Sequence, residues 1–400
     1  MIFALPFNFN LLFRAWEQRK LGELGEVTTG KAFSSTSFDN QGEYLVITNK
    51  NISDSSRSQN IITNRISISD DEIIQRYRLD GENILVTMDG VNLGKTAMYS
   101  NANALLAQRV GRIKSNQLEF IYQITSSNTF LRTMQTLSVG NAIKHISLKQ
   151  ISEYSSLGPK DIIERKKIGS FFKKLDNAIA LHQRKLEALK LMKKGLLQQM
   201  FPKRGENIPK IRLDDFDDIW EQRILGECLK ESKIKGSNGS LAKKLTVKLW
   251  RKGVVPKVEI YTGSSATQYY IRKTGQFMYG KLDFLNQAFG IVPLELDGYE
   301  STLDSPAFDI EESINETFLL EYVSLGRFYK YQGNIANGSR RAKRIHTDTF
   351  FEMPIPLPNS NEQQKIGTFS QQIDDLIALQ QNKLEKLSSL KRIYLKNMFI

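Results

Sequence analysis

The sequence predicts an α/β (α+β) protein. Two mixed α/β units with curved or barrel-like sheets are joined by two long helices that form an antiparallel coiled coil, with pseudo-twofold character. Three observations lead there. One long stretch occurs twice, as Ile163–Phe201 and Asn361–Phe399. Its apolar residues fall in a heptad pattern. The chain before each copy is rich in short strand signals and opens on a second repeated motif.

The two copies align without a gap. An offset of 198 places Lys167-Ile168-Gly169 on Lys365-Ile366-Gly367, Phe171 on Phe369 and Asp176 on Asp374. It also places Lys185-Leu186-Glu187 on Lys383-Leu384-Glu385 and Met200-Phe201 on Met398-Phe399. A period this long marks a duplicated domain pair rather than a solenoid, whose units are far shorter. In the first copy the seam runs Ile168, Phe172, Leu175, Ile179, His182, Leu186, Leu189, Lys193, Leu196, Met200. In the second it runs Ile366, Ser370, Ile373, Ile377, Gln380, Leu384, Leu387, Lys391, Tyr394, Met398. Steps of four and three alternate, as in the a/d positions of a coiled coil. Proline is absent from both, and good helix formers dominate. At 1.5 Å per residue such a helix is roughly 57 Å long. It cannot bury its stripe on itself, and its twin is the simplest partner. His182 matches Gln380 in the seam, and Lys193 matches Lys391. Polar residues there cost stability and fix register and orientation. The plainer alternative is a wide apolar face with the lysines reaching out to water.

The second repeat is Trp16-Glu17-Gln18-Arg19-Lys20-Leu21-Gly22-Glu23, which returns as Trp220-Glu221-Gln222-Arg223-Ile224-Leu225-Gly226-Glu227. The plan is a lead-in (1–16), unit one (17–158), a helix (159–201), a linker (202–220), unit two (221–357) and a second helix (358–400). The Pro, Gly and charge of the linker are turn signals. In unit one, Tyr44–Ile47, Asn83–Met88 and Ala104–Ile113 have strand character. Asp80-Gly81 and Asp89-Gly90 are turn dipeptides, and 117–137 has helical character. In unit two, Thr274-Gly275 precedes a strand as Gly81 does, Phe318–Tyr331 repeats the late helix, and Gly338-Ser339 corresponds to Gly140-Asn141. The units should be related but diverged, each with one flanking helix layer.

The formal net charge is +13, from 56 Lys and Arg against 43 Asp and Glu. That excess points to a polyanionic partner, either nucleic acid or an anionic membrane. Apolar runs stop short of the ~18 residues of a membrane span. The apolar lead-in lacks a basic n-region and holds Pro6, so it is expected to be a packing or irregular segment rather than a signal peptide. The single cysteine, Cys228, excludes an internal disulfide and a cysteine-based zinc site, and a reduced cytoplasmic setting fits.

Catalytic signatures are missing. Gly90-Val-Asn-Leu-Gly94-Lys95-Thr96 resembles a phosphate-binding P-loop but is one residue short, and strand rather than helix character follows in Ala97–Asn101. A tight turn presenting a basic residue is expected instead. His145, His182 and His346 lack metal-ligand spacing. Gly22 and Gly25 do not make a dinucleotide loop. Asp70, Asp71, Asp214 and Asp215 are expected on solvated faces or at helix starts.

Two diverged units on duplicated rods suit a protein that reads two separated, unlike DNA half-sites, with the gap set by the protein. Loops would carry the base-reading and phosphate-binding side chains. In unit one the candidates are Lys31 in Thr29-Gly30-Lys31, Lys50 in Asn49-Lys50-Asn51, Asn92 and Lys95 in the 89–96 turn, and Asn141, Lys144 and His145. In unit two they are Ser264 in the 262–268 loop, Lys281, and the most basic cluster of either unit, Ser339, Arg340, Arg341, Lys343 and Arg344. Lys166, Lys167, Lys173, Lys174, Arg184, Lys185, Lys190, Lys193 and Lys194 give the first helix a basic excess that would meet DNA, a protein partner or plain solvent.

The paired Trp-Glu-Gln-Arg openings, the Lys-Ile-Gly-x-Phe helices and the alternating plan together resemble the specificity subunit of type I restriction–modification enzymes, over nearly the whole chain. The resemblance implies a non-catalytic subunit with two target recognition domains, each reading one half of a bipartite double-stranded DNA site. It implies spacer helices that act as a ruler and dock two modification subunits, which bind S-adenosylmethionine. Restriction would add translocase–nuclease subunits using ATP and Mg²⁺. No cofactor is expected in this chain, and no membrane. Two departures stand out: residues before Trp16 do not match those before Trp220, and the first helix enters through Leu157-Gly158-Pro159-Lys160 whereas the second enters through Pro354–Pro358. Rival readings are a stand-alone DNA-binding or regulatory protein and a P-loop-like enzyme.

Overall fold

The repeated Trp-Glu-Gln-Arg segment becomes an edge strand in both halves, because each copy meets an extended segment entering a long helix. In the computed structural model, which describes residues 16–52, 63–140, 144–213, 216–258, 264–334 and 344–398, β1 (Trp16–Lys20) pairs antiparallel with Ser155–Pro159, Glu17 opposite Gly158. The motif's Leu21 opens a single turn, α1 (Leu21–Leu24), and is fully buried. Its N–H donates to Tyr154 O at 2.9 Å. Gly22 is required by packing: a Cβ there would fall 2.1 Å from Ser152 Oγ.

A six-stranded, mostly antiparallel sheet follows. It contains β2 (Glu26–Thr29), β3 (Tyr44–Ile47), β4 (Arg65–Ile66), then α2 (Asp71–Tyr77), β5 (Arg78–Thr87), β6 (Thr96–Leu106) and β7 (Val110–Lys114). The strand order is β2-β7-β5-β6-β3-β4, and β3 runs parallel to β6. Register shifts in β5 around Leu79 and Asn83 bend the sheet. Alternation assigns its faces. Ile84 and Val86 join the core under the helices, while Leu85 joins Ile47, Ile52, Tyr99 and Leu106 on the opposite side. The helices are α3 (Leu118–Thr125), α4 (Asn128–Leu137) and α5 (Leu148–Ser152). They are followed by β8 (Ser155–Pro159) and the long α6 (Ile162–Met200).

Three expectations for this half need correction. Ala104–Ile113 is two strands, β6 and β7, not one: each runs antiparallel to β5, on opposite sides of it, and the chain passes between them through a turn at Gln108-Arg109, with Arg109 at φ +66° and no glycine to announce it. The 117–137 helix is two helices, because Ser127 leaves helical geometry and its side chain accepts the Phe130 N–H at 3.1 Å, capping α4. Asp80-Gly81 lies inside β5, where Gly81 (φ +64°) takes up the irregular register rather than making a hairpin turn.

In the second half, β9 (Glu221–Ile224) repeats the opening motif. Then come β10 (Leu229–Ser232), β11 (Lys235–Asn238), β12 (Leu245–Val247), β13 (Val254–Pro256), β14 (Gln268–Ile271), β15 (Phe277–Tyr279), β16 (Phe289–Ile291), β17 (Glu300–Ser301) and β18 (Ala307–Ile310). Helices α7 (Glu316–Val323), α8 (Gly326–Asn334) and α9 (Thr347–Phe351) precede β19 (Pro354–Leu357) and the long α10 (Ser360–Met398). β19 pairs with β9 as β8 pairs with β1. The expected late helix is again two, α7 and α8. Sheet β10-β18-β15-β16 packs an aromatic core in which Phe277 stacks on Phe350 and Tyr279 on Phe308, centroids 5.8 Å apart in both pairs. Buried Arg272 fastens the smaller sheet β11-β14-β17, donating to Ser301 Oγ at 2.8 Å and Ser232 O at 2.9 Å. Burial lowers its pKa to about 10.

The chain divides into two compact units, Met1–Gln183 with Lys383–Ile400, and Arg184–Asn382. Each long helix therefore contributes one part to each unit. In the first, the opening of α6 packs on the end of α10: Phe171 meets Tyr394 edge-on at 5.4 Å, and Met398 joins the core with Phe172 and Leu175. In the second, the end of α6 lies against the opening of α10, with Lys193 at Asp374. The helices run antiparallel in both. Every seam position named above is buried or half-buried.

Candidate nucleic-acid interface

In the first unit, four predicted loops meet beside one end of the sheet. Lys31 N–H donates to Leu106 O at 3.0 Å, and Gln108 N–H donates to Lys31 O at 2.8 Å. Gly30 allows this approach, since a Cβ would sit 2.1 Å from Leu106 O. The 89–96 segment is a hairpin turn closed by Gly94 N–H to Thr87 O and Thr87 N–H to Lys95 O, both 2.9 Å. Strand β6 begins at Thr96, so no helix follows and a phosphate-wrapping loop is not formed. Asn49 donates its amide to Asp89, and Asn92 Nδ2 donates to Asn49 O at 3.4 Å, which ties the 49–51 turn to this hairpin. His145 bridges to both Asp89 and Val139, and Ile146 N–H donates to Met88 O at 2.8 Å. Lys50, Lys144 and His145 are exposed, and Lys31, Asn92 and Lys95 are half-buried.

One member of this group was missed by sequence reasoning. Arg109 Nη1 donates to Asp89 Oδ2 at 2.9 Å; the arginine side chain is 61% exposed and the aspartate 7%. It was hidden inside an expected strand.

In the second unit, Lys281 and Arg344 come together around Asp304. Lys281 N–H donates to Asp304 O at 2.9 Å, Ile345 N–H donates to Lys281 O at 3.0 Å, and Arg344 Nη1 lies 3.3 Å from Asp304 Oδ1. Burial lowers the Lys281 pKa, and the nearby Lys233 and Arg344 charges add to that against Glu231 and Asp304. Ser264 sits in a separate turn that leans on Gly239, and its Oγ accepts from Ala266 N–H at 3.1 Å. Asn141, Ser339, Arg340, Arg341 and Lys343 lie outside the described residues, as do the lead-in 1–15 and Asp214 and Asp215.

The seam lysines are ion-paired. Lys391 Nζ lies 2.6 Å from Asp176 Oδ1, and Lys193 Nζ lies 2.6 Å from Asp374 Oδ2. The 198-residue offset carries each pair onto the other. Gln380 is buried and His182 half-buried. Lys193 also reaches Glu321 at 3.0 Å; this carboxylate accepts both Nη groups of Arg251 and the Ser370 hydroxyl. Burial pushes the Glu321 pKa up, but Arg251, Lys193 and Ser370 outweigh it and hold the carboxyl below its usual range. Among the other basic residues of α6, Lys173 pairs with Glu82 and Glu119, and Lys190 with Glu187.

Among the described residues, no cluster of three His, Cys, Asp or Glu is placed to hold a metal ion, and no helix is long and apolar enough to cross a membrane. Cys228 is buried and unpaired with any other cysteine.

The family model for the type I restriction modification DNA specificity domain matches residues 14–191 and 306–389, more than half of the chain. The chain belongs to that family: it is a DNA specificity subunit, the non-catalytic component of a type I restriction–modification system. Among curated proteins it is 23% identical over 400 residues to the MjaVIII specificity subunit of Methanocaldococcus jannaschii, spanning 94% of this chain and 90% of that one. Its fold is that of the type I S subunit from M. genitalium, with a TM-score of 0.62 at 14% identity over 99% of this chain and 98% of the other. A chain from a structure on complex assembly and conformational transition of a type I system matches at TM-score 0.53 and 14% identity, covering 96% and 97%. The resemblance read from the repeats is therefore the family of the whole chain.

Proposed function

We propose that this subunit binds double-stranded DNA at a bipartite site. Residues 17–158 and 221–357 act as target recognition domains for unlike half-sites, and the paired helices 159–201 and 358–400 set the gap and dock two modification subunits. The observation that carries this reading is the matched pair of ion pairs, Asp176–Lys391 and Lys193–Asp374. A charged residue in a coiled-coil seam favours one register over its neighbours. Two such contacts related by the duplication favour a single antiparallel alignment, and hence a fixed ruler. His182 and Gln380 would add to that choice.

Unlike heads suit unlike half-sites. The first gathers Lys31, Lys50, Asn92, Lys95, Lys144 and His145 around a hairpin, with Asn141 beside them in sequence. The second offers Lys281 and Arg344, with Ser264 on another turn and Ser339, Arg340, Arg341 and Lys343 next to Arg344 in sequence. The net charge of +13 supports phosphate contact. The modification subunits would supply S-adenosylmethionine, and restriction subunits ATP and Mg²⁺; the setting would be cytoplasmic.

Mapping methylated bases in DNA from cells carrying the complete system tests this. The expected result is one motif in two unlike halves separated by a gap of constant length, with the chain co-purifying with modification subunits. An undivided motif, a variable gap or a chain that binds DNA without those subunits would contradict it, the last favouring a stand-alone binder.

A further inference from the structure

Arg109 occupies a position that packing does not explain. It stands at the β6–β7 turn at φ +66°, a left-handed conformation that side-chain-bearing residues rarely adopt. Such outliers persist only where their surroundings hold them, and they gather at functional sites. Its backbone is held by Met88 N–H, which donates to Arg109 O at 3.0 Å. Its side chain is mostly exposed and is fixed at one point, Nη1, by the largely buried Asp89. The other Asp89 oxygen takes the amide of Asn49. The remaining guanidinium N–H groups of Arg109 have no hydrogen-bond partner among the described residues. An ion pair with one partner this exposed contributes little stability, whereas a carboxylate that orients a guanidinium removes freedom the side chain would otherwise lose on binding.

The surroundings fit the same task. Lys31 adjoins the turn through Gln108, Lys50 follows Asn49, and His145 bridges to Asp89. Cations on neighbouring loops suit phosphates, while a planar fork with free donors matches the O6 and N7 acceptors of guanine in the major groove. We infer that Arg109 is a specificity-determining residue that reads a guanine in the half-site of the first head, with Asp89 as its positioning residue. This rests on the DNA-reading role proposed above.

The test uses the complete system with Arg109→Ala, Arg109→Lys or Asp89→Asn, and maps methylated sites genome-wide. Arg109→Ala should make one guanine position of one half-site degenerate, with discrimination there falling roughly 5- to 150-fold, while the other half and the gap stay as they were. Arg109→Lys should relax the same position, because an ammonium lacks the fork. Asp89→Asn should do so more weakly. Four outcomes would overturn the assignment. The wild-type motif could contain no guanine in either half. The Lys variant could keep the full motif while the Ala variant loses modification evenly at all sites, which marks a phosphate contact. All variants could leave the motif unchanged, or abolish modification with the complex still assembled. A wild-type motif not split into halves would instead defeat the underlying function and not this residue alone.

Discussion

The two ends of the helical pair fasten their heads by different chemistry at equivalent places. Both use the glycine of the Lys-Ile-Gly motif for close approach. A Cβ on Gly169 would lie 2.6 Å from Phe120 N in α3, and one on Gly367 would lie 2.7 Å from Asn315 Oδ1 at the cap of α7. One turn deeper they diverge. In the second unit Ser370 of α10 meets Glu321 of α7, and Lys193 and Arg251 complete a buried charged knot that also recruits the β12–β13 connection. The 198-residue offset puts Phe172 and Gln123 in those places. Phe172 is fully buried in an apolar core, and neither amide atom of Gln123 has a hydrogen-bond partner among the described residues. The duplicated scaffold thus tolerates an ionic fastening at one end and a packed one at the other, provided the glycine contact stays.

The largest expected effect comes from cutting the knot. Glu321→Ala strands Arg251, leaves Lys193 with Asp374 alone, and should destabilise the second unit by about 3–5 kcal/mol, measured by denaturant unfolding of the full chain. Phe172→Leu, which keeps the first junction apolar, should cost less. A smaller loss for Glu321→Ala would mean that the knot is neutral in the balance of stability.

The same carboxylate should make the contrast pH-dependent. Its folded pKa lies below the ordinary 4.5. The stability it contributes is therefore fully present above the unfolded value and is lost as pH falls through the lower folded value. The stability difference between the parent and Glu321→Gln should shrink over that acid window and hold constant at neutral pH. A gap that widens with acid would reverse the sign argued here.

Next in size are the glycines. Gly169→Ala drives a methyl into the backbone of α3 and should destabilise by about 1–3 kcal/mol. At Gly367 the nearest atom is the Asn315 side-chain oxygen, whose displacement weakens its cap on the Phe318 N–H at a cost of about 1 kcal/mol, while alanine gains up to about 1 kcal/mol of helix propensity. Gly367→Ala should therefore be close to neutral in thermal unfolding. Equal penalties would show that both helices meet rigid backbone. A gain rather than a loss is expected at Gln123→Met, which removes an unsatisfied buried amide and should stabilise the first unit by about 1 kcal/mol; a clear loss would reveal a partner for that amide.

Much of this scaffold could be read from the chain alone. The repeated stretch Ile163–Phe201 lies within one residue of α6 at each end, although the helix begins at Ile162 rather than at 159, which belongs to β8; none of the seam positions is exposed, because a helix period is a local property. The junctions could not be read. Glu321 and Arg251 stand 70 residues apart, and Arg109 reaches Asp89 from a turn between two strands that had looked like one. Such pairs depend on strand register and on a left-handed turn without glycine, neither of which spacing reveals. The break at Ser126-Ser127 escaped for a related reason: serine in a helical pattern signals a cap only once the flanking helices have chosen different faces.

The proposed spacing role of the paired helices is tested most directly by lengthening them. Four residues inserted between Gln183 and Arg184 and four between Asn382 and Lys383, where each helix passes from one unit to the other, add about 6 Å of rise to each rod. Methylation mapping with this variant should return the same two half-sites with a gap changed by about one or two base pairs, at roughly 3.4 Å each. The same half-sites at the original gap would contradict a spacing set by the paired helices.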